Sequence, residues 1–491
     1  MATTKRTRPS AVRNARNVGR WDLEADVVVV GYGCAGASAA IEAVEAGADT
    51  LIVERASGGG GTSANAGGLL YMGGGTPVQR ACGFEDTPEE MFKFLMAACG
   101  PDPDAAKIRV YCDDSVAHFH WLVAHGVPFK NSFYPEPWEP PTDDCLTYSG
   151  GENGYPFNRI AKPAPRAHKP QCVGSAGGLL MQKLTAAAEG SGARIECDAR
   201  CEALVVDDAR RVVGVVVWQD RTERLVRVRR GVILTAGGFV NNPEMVQRHV
   251  PLLARCAVKT GTETDDGRAI RMAMSAGADV IRMHAAEVAY PLAPHRLMRG
   301  ILVNRYGQRF INEDTYFGRL AQEGLFRQDG EMFLIVDTAI YEPTAFGMQA
   351  AFVEESTAAL ERAIGLPTES LQSAVAYYNR FAARGEDPLF HKTATLLQPL
   401  STPPYAAFDC RLSTQDVSVN ATFSGFTLGG LHTLPTGEVL DPDGQIIPGL
   451  YAAGRTTSGV AAGGYCSGLS LGDGTFFGRK AGRSAAMAPA V

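Results

Sequence analysis

The chain has 491 residues, 45% of them hydrophobic and 20% charged, with a net charge of −6 and a pI near 5.9. That balance excludes a disordered tail, a membrane bundle and a protein built chiefly to bind nucleic acid, and the length predicts two or three domains. The 55 glycines, about 11% of the chain against a usual ~7%, follow neither a collagen period nor a low-complexity pattern, so they require a structural or ligand-binding cause.

Residues 1–20 carry Lys5, Arg6, Arg8, Arg13, Arg16 and Arg20 and no acid. No apolar segment of the kind a targeting signal needs follows them, so they predict a disordered basic extension. The eleven cysteines are odd in number and lack a CxxC pair, which predicts free thiols and a cytoplasmic location. No apolar run approaches the ~20 residues that cross a bilayer.

Regular structure begins at Asp26. Val27 to Val30 is a short β-branched run suited to a buried parallel strand, and it enters Gly31-Tyr32-Gly33-Cys34-Ala35-Gly36, a GxGxxG pattern. The alanine-rich helix Ala37 to Ala46 follows, ended by Gly47, and a second strand over Thr50 to Val53 leads to Glu54. In this arrangement Gly31 permits the tight turn, Gly33 admits a pyrophosphate and Gly36 allows close helix–strand packing. The helix start offers free N–H groups to phosphates, and Glu54 is placed to accept from an adenosine ribose. The unit predicts dinucleotide binding without separating FAD from NAD. A second glycine-rich loop, Gly58 to Gly61, Thr62-Ser63 and Ala66-Gly67-Gly68, favours FAD, whose ribitol and isoalloxazine need backbone to lie along.

Thr87-Pro88-Glu89-Glu90 is a capped helix start, and helices are expected over 87–125. Nine prolines fall between Pro128 and Pro170, which predicts an ordered excursion over the core. Its aromatic residues, Phe133, Tyr134, Trp138, Tyr148 and Tyr155, suit either substrate contact or packing. A helix is expected over 178–190. Strands follow at 194–197, 203–206, 212–218 and 224–230, then a separate one from Arg230 that ends in Thr235-Ala236-Gly237-Gly238. A further helix spans 268–276. The cofactor pattern stops at about 278 and resumes near Gly429, ending with Ile447 to Gly454 and a C-terminal helix.

The fold class expected is therefore α/β, a Rossmann-like FAD-binding domain (parallel sheet plus β-meander) with an inserted α+β catalytic domain. The boundaries are 21–277 and 416–491 for the split FAD domain, with the excursion at 128–170, and 278–415 for the insertion. Candidate cofactor residues in the first glycine loops are Gly31, Gly33, Cys34, Ala35, Gly36, Glu54, Arg55, Thr62, Ser63, Ala66, Gly67 and Gly68. Further along they are Ala203, Thr235, Ala236, Gly237, Asp266, Gly454, Arg455, Ser470 and Leu471.

Together the strand-GxGxxG-helix-Glu54 unit, the Thr235 to Phe239 turn, Val303-Asn304 through Glu313 and Pro448 to Gly454 resemble the fumarate reductase and 3-ketosteroid dehydrogenase flavoproteins. Glu313-Asp314-Thr315-Tyr316, the run from Ala453 through Gly463-Gly464-Tyr465-Cys466-Ser467-Gly468, and Tyr148 to Asn153 look most like the 3-ketosteroid Δ4-(5α)-dehydrogenases. That resemblance implies non-covalently bound FAD and oxidation of 3-keto-5α-steroids to 4-ene-3-ketones. Carried over, the family's catalytic residues fall on Tyr316, Tyr465 and Ser467, with Cys466 where a small residue is usual. The implied roles are Tyr465 as donor to the keto oxygen, Ser467 as base and Tyr316 as proton relay. A small apolar substrate is expected, with an electron acceptor the sequence does not name. Rival readings are Δ1 dehydrogenation, a fumarate-type dicarboxylate site and a flavin redox sensor. Fumarate-type enzymes carry an arginine where this chain has Tyr316-Phe317.

Overall fold

The computed structural model describes residues 11–491 except Pro137, Trp138, Pro291, Ala293, Pro294 and Phe346. The β-branched run folds as the strand Leu23–Val30, fully buried from Val27 to Val29, at the centre of the main sheet. Thr50–Val53 pairs parallel on one side of it and Thr222–Leu234 parallel on the other. Among the described residues this sheet has nine strands, with Arg194–Glu196 at one edge and Val12–Asn14 at the other.

Thr222–Leu234 is a single strand of 13 residues, where the sequence reading placed two. Its first half pairs antiparallel with Val212–Gln219. Its second half is parallel both to Leu23–Val30 and to Ile446–Ala452. A register shift between Val228 and Gly231 reorients the strand without breaking it, so meander and parallel sheet are one continuous layer.

Residues 11–20 also depart from expectation. Val12–Asn14 pairs parallel with Leu204–Val206, and Arg13 bonds Glu223 through two nitrogens. An extended segment whose N–H and C=O groups complete a sheet edge is ordered whatever its charge. Residues 1–10 lie outside the described residues.

The first helix, Cys34–Glu45, lies against the last, Leu469–Met487. Both present small residues at the crossing. A Cβ on Gly478 would strike the carbonyl of Ala35, and one on Gly482 the carbonyl of Ala39. The approach of the two backbones is therefore set by glycine, and it joins the N-terminal and C-terminal parts of the cofactor unit.

The central block holds a four-stranded antiparallel sheet, Ile301–Asn304, Met332–Asp337, Tyr405–Asp409 and Phe352–Glu354, with helices Thr357–Ile364 and Ser370–Ala382. A second sheet joins Val258–Lys259, Ala286–Ala289 and Ser424–Thr427, so it draws strands from both sides of the expected boundaries at 277/278 and 415/416. The proline-rich excursion contributes Leu146–Thr147 and Ala167–His168 to a small sheet with Leu70–Tyr71. Its aromatic residues Phe133 and Tyr148 pack against each other and against Phe84. Trp138 lies outside the described residues. No helix of the described residues is long and apolar enough to cross a membrane.

Substituting Gly482→Val should destabilise the protein by ~1–3 kcal/mol through overpacking at the helix crossing. Arg483→Ala, exposed on the same helix, should stay within ~0.5 kcal/mol in urea unfolding.

Candidate active site

A cavity of about 470 Å³ runs from the ends of the parallel strands into the cleft against the central block. At its first end the chain turns at Gly31, whose φ of +106° suits glycine, and a Cβ there would lie 2.7 Å from the Thr235 carbonyl. At the adjacent helix N-terminus the Cys34 N–H donates to Ser63 Oγ at 3.2 Å, and both residues line the cavity. The Glu54 carboxylate is fixed by the backbone N–H groups of Tyr32 and Ala56, both at 2.7 Å, and lines the cavity. Opposite it, Arg55 pairs with Asp266 at 2.8 Å.

One carboxylate ties the site together. Asp265 accepts from the Gly238 N–H at 3.0 Å, the Thr62 hydroxyl at 2.8 Å and the Arg455 guanidinium at 2.6 Å. These partners belong to three distant segments of the chain. Asp265 is 3% exposed, so each of these charge-assisted bonds forms out of water, where it is strongest. The sequence reading singled out its neighbour Asp266 instead.

The predicted cofactor residues converge on this cavity with two exceptions. Gly31, Gly33, Cys34, Ala35, Glu54 and Arg55 line it, as do Thr62, Ser63, Ala66, Gly67 and Gly68. Thr235, Ala236, Gly237, Asp266, Gly454, Arg455, Ser470 and Leu471 complete the wall. Gly36 sits behind it, in the helix–strand packing role: a Cβ there would collide with the Gly31 carbonyl.

Ala203 is a correction. It packs with Val205 and Val216 on the far face of the sheet, and Cys201 reaches the cavity in its place. A register shift between Cys201 and Ala203 reverses the two-residue alternation that would have kept both on one face.

The other end of the cavity is lined by Ala289, Phe317 and Phe426, with Tyr316, Tyr465, Ser467 and Glu287 among them. Tyr316 precedes the helix Phe317–Gln322, and its ring lies 6.5 Å from that of Tyr465. Phe426 meets Tyr465 edge-on at 5.5 Å. The Glu313 of the same motif points away from the cavity into a buried ion cluster with Arg309 at 2.8 Å and Lys392 at 3.2 Å, so it anchors the segment.

The two tyrosine hydroxyls are held in opposite senses. Tyr465 accepts from the backbone N–H of Ser470, at 3.1 Å, in the first turn of the last helix. That leaves its own proton to be donated. Tyr316 donates to Glu287 Oε1 at 2.7 Å, which leaves its lone pairs unused. Burial pushes both phenols above their ordinary range, so both stay protonated at neutral pH.

Sequence reading missed Glu287 and Ser149 as well as Asp265. Glu287 lies on the buried strand Ala286–Ala289 and is the one charged residue in that strand. A carboxyl in such a run was the available signal, since buried charges are rare without a partner or a task. Ser149, in the excursion, holds Ser467 from both sides: its carbonyl accepts from the Ser467 N–H at 3.1 Å and its hydroxyl donates to the Ser467 carbonyl at 2.7 Å.

The donor set fits a flavin dinucleotide. Among the described residues, Arg455 Nη1 is buried on the cavity wall without a hydrogen-bond partner, as a group awaiting a polar ligand would be. A family model described as FAD binding domain matches residues 26–471. The crystal structure of 3-ketosteroid-Δ4-(5α)-dehydrogenase from Rhodococcus jostii RHA1, in complex with 4-androstene-3,17-dione, is 51% identical with a TM-score of 0.92. The match covers 97% of this chain and 99% of that one. The chain belongs to this family of FAD-binding dehydrogenases. The 3-oxo-5-alpha-steroid 4-dehydrogenase of Comamonas testosteroni is 29% identical, over 89% of this chain and 93% of its own length. The 3-ketosteroid Δ1-dehydrogenase from Sterolibacterium denitrificans, 22% identical with a TM-score of 0.71 over 94% of this chain and 99% of that one, shares the fold.

Replacing Asp265 with Ala should lower FAD affinity about tenfold or more, since it removes an anionic acceptor common to three wall segments. The flavin-to-protein absorbance ratio after dialysis measures this, with circular dichroism reporting the intact fold.

Proposed function

We propose that this protein is an FAD-dependent dehydrogenase that converts 3-keto-5α-steroids to 4-ene-3-ketones. The observation that carries the reading is the convergence of Tyr316, Tyr465 and Ser467 on the apolar end of the same cavity that the glycine loops line. The likeness to the Rhodococcus jostii enzyme, across nearly the full length of both chains, supports the steroid as substrate.

Removing hydrogen beside a ketone takes a proton from the α carbon and a hydride from the β carbon. Bound FAD, held by the glycine loops, Glu54 and Arg455, supplies the hydride acceptor. The protein's task is to make the α proton acidic and to carry it away. Tyr465 donates to the keto oxygen and stabilises the charge that develops there, with the Ser470 N–H holding the hydroxyl in the donating orientation. Ser467 takes the α proton, its backbone clamped by Ser149. Tyr316, with lone pairs left open by its bond to Glu287, relays that proton.

Phe317, Phe426 and Ala289 surround these hydroxyls, and this lining favours a rigid apolar substrate over a dicarboxylate, which would need opposed cationic groups. Eleven thiols outside any disulfide support a reducing, cytoplasmic setting.

Anaerobic mixing with 5α-androstane-3,17-dione should bleach the flavin absorbance. Bleaching with succinate alone would overturn the assignment. Tyr465→Phe, Ser467→Ala and Tyr316→Phe should each retain FAD and lose roughly 10²–10³-fold in turnover. Wild-type turnover in any one of them removes the role given to that residue.

A further inference from the structure

We propose that Glu287 is the terminal acceptor of the substrate proton, acting through Tyr316, so that the relay runs from Ser467 to Tyr316 to a buried carboxylate. This rests on the steroid dehydrogenase reading above and extends it by one group.

The geometry is specific. Glu287 is 3% exposed and lines the cavity beside Tyr316. Its Oε1 receives the Tyr316 proton at 2.7 Å, and Gln322 Nε2 approaches Oε2 at 3.3 Å. Gly318 makes this possible, since a Cβ there would collide with both the carboxylate and the Tyr316 ring. The strand partner across from Glu287 is Phe426, which brings no charge. The titratable and charged groups facing the carboxyl are Tyr316 and Arg319 from the segment before and within the helix, and Tyr465 and Cys466 from the C-terminal loop. Arg319 is the one cation of this set. Its Nη2 donates to the Ala98 carbonyl at 3.3 Å and its guanidinium lies over Phe157, so it does not bond Glu287 directly.

The step balances. The α C–H bond breaks and its proton goes to Ser467 Oγ. The Ser467 O–H proton passes to Tyr316 Oη, and the Tyr316 O–H proton passes to Glu287 Oε1. One carboxylate becomes a carboxylic acid. The electron pair left on the α carbon forms the ring double bond as the β carbon loses its hydride, for which bound FAD would supply the acceptor. Neither hydroxyl needs to ionise, which their burial would oppose.

Burial pushes the Glu287 carboxyl up to about 8, against the lowering effect of the Tyr316 bond and the Arg319 charge. A carboxyl raised to that point is mostly protonated below it and charged above it. Dehydrogenation requires the charged form, so kcat should rise with pH through a midpoint near 8.

The test compares the holoenzyme with Glu287→Gln and Glu287→Asp, reading kcat from about pH 6 to about 10 together with flavin content and steroid-induced flavin spectral shifts. In Glu287→Gln, kcat should fall about 100-fold or more and the rising limb should vanish, while FAD and the steroid-induced shift remain. Glu287→Asp should keep a limb with a displaced midpoint and recover part of the turnover. A flat wild-type profile overturns the proposal, as does a Glu287→Gln enzyme within about threefold of wild type with the same limb. An unmoved limb in Glu287→Asp also overturns it, even where the Gln variant fails to hold flavin. A wild-type enzyme that does not oxidise the steroid at all refutes the functional reading instead, so the two failures are distinct.

Discussion

The cofactor cavity depends on one buried carboxylate. Its walls come from segments that no local interaction could bring together, since residues 31–75 and 425–482 hold 28 of the 55 glycines at opposite ends of the chain. Asp265 stands between them, bonded to Thr62, Gly238 and Arg455. A negative charge out of water is costly unless its acceptor sites are filled. Here they are filled by one group from each wall, so the carboxylate is satisfied only when all three walls are in place. The glycine contact between the first and last helices acts in the same direction at the back of the sheet.

The apolar end follows a second rule: each of its two tyrosine hydroxyls has one hydrogen-bonding role already committed. Tyr465 has its acceptor side taken by the Ser470 N–H, and Tyr316 has its proton taken by Glu287. Two chemically identical side chains therefore show the cavity opposite faces, one a proton and the other a lone pair. The backbone around Ser467 is equally constrained by Ser149. This gives the proline-rich excursion a function that its composition does not suggest. It is a clamp on Ser467, and its own aromatic residues Phe133 and Tyr148 serve to pack it down.

Features set by local chemistry were legible in the sequence. The Gly31 turn, the Thr87 cap, which accepts from the Glu90 N–H at 3.1 Å, and the run of strand, helix and strand up to Glu54 need only near neighbours to be recognised. The hydroxyls proposed as catalytic came from a motif rather than from physics, because a tyrosine or serine in isolation has many commoner uses. What escaped depends on register or on long-range pairing. Ala203 was misplaced because the register shift between Cys201 and Ala203 inverted the strand's alternation. Thr222–Leu234 was divided because polar residues in its first half face a different neighbour from the apolar residues in its second. Asp265 and Asp266 are adjacent and alike in sequence, and only the folded chain decides that one bridges three segments while the other meets Arg55.

These constraints also explain why the site is built from neutral hydroxyls. An ionised base beside an apolar substrate would pay a desolvation penalty each time the substrate bound and water left. In the proposed relay serine and tyrosine avoid that by remaining neutral throughout, passing a proton as they receive one. Such a chain needs a fixed direction, and direction requires asymmetry between its ends. In the proposed relay Tyr465, whose proton is left for a keto oxygen, supplies one end, while the orientation of Tyr316 towards Glu287 supplies the other. The only formal charge the proposed relay requires is then confined to the buried Glu287 carboxyl, which is hydrogen-bonded to the Tyr316 hydroxyl.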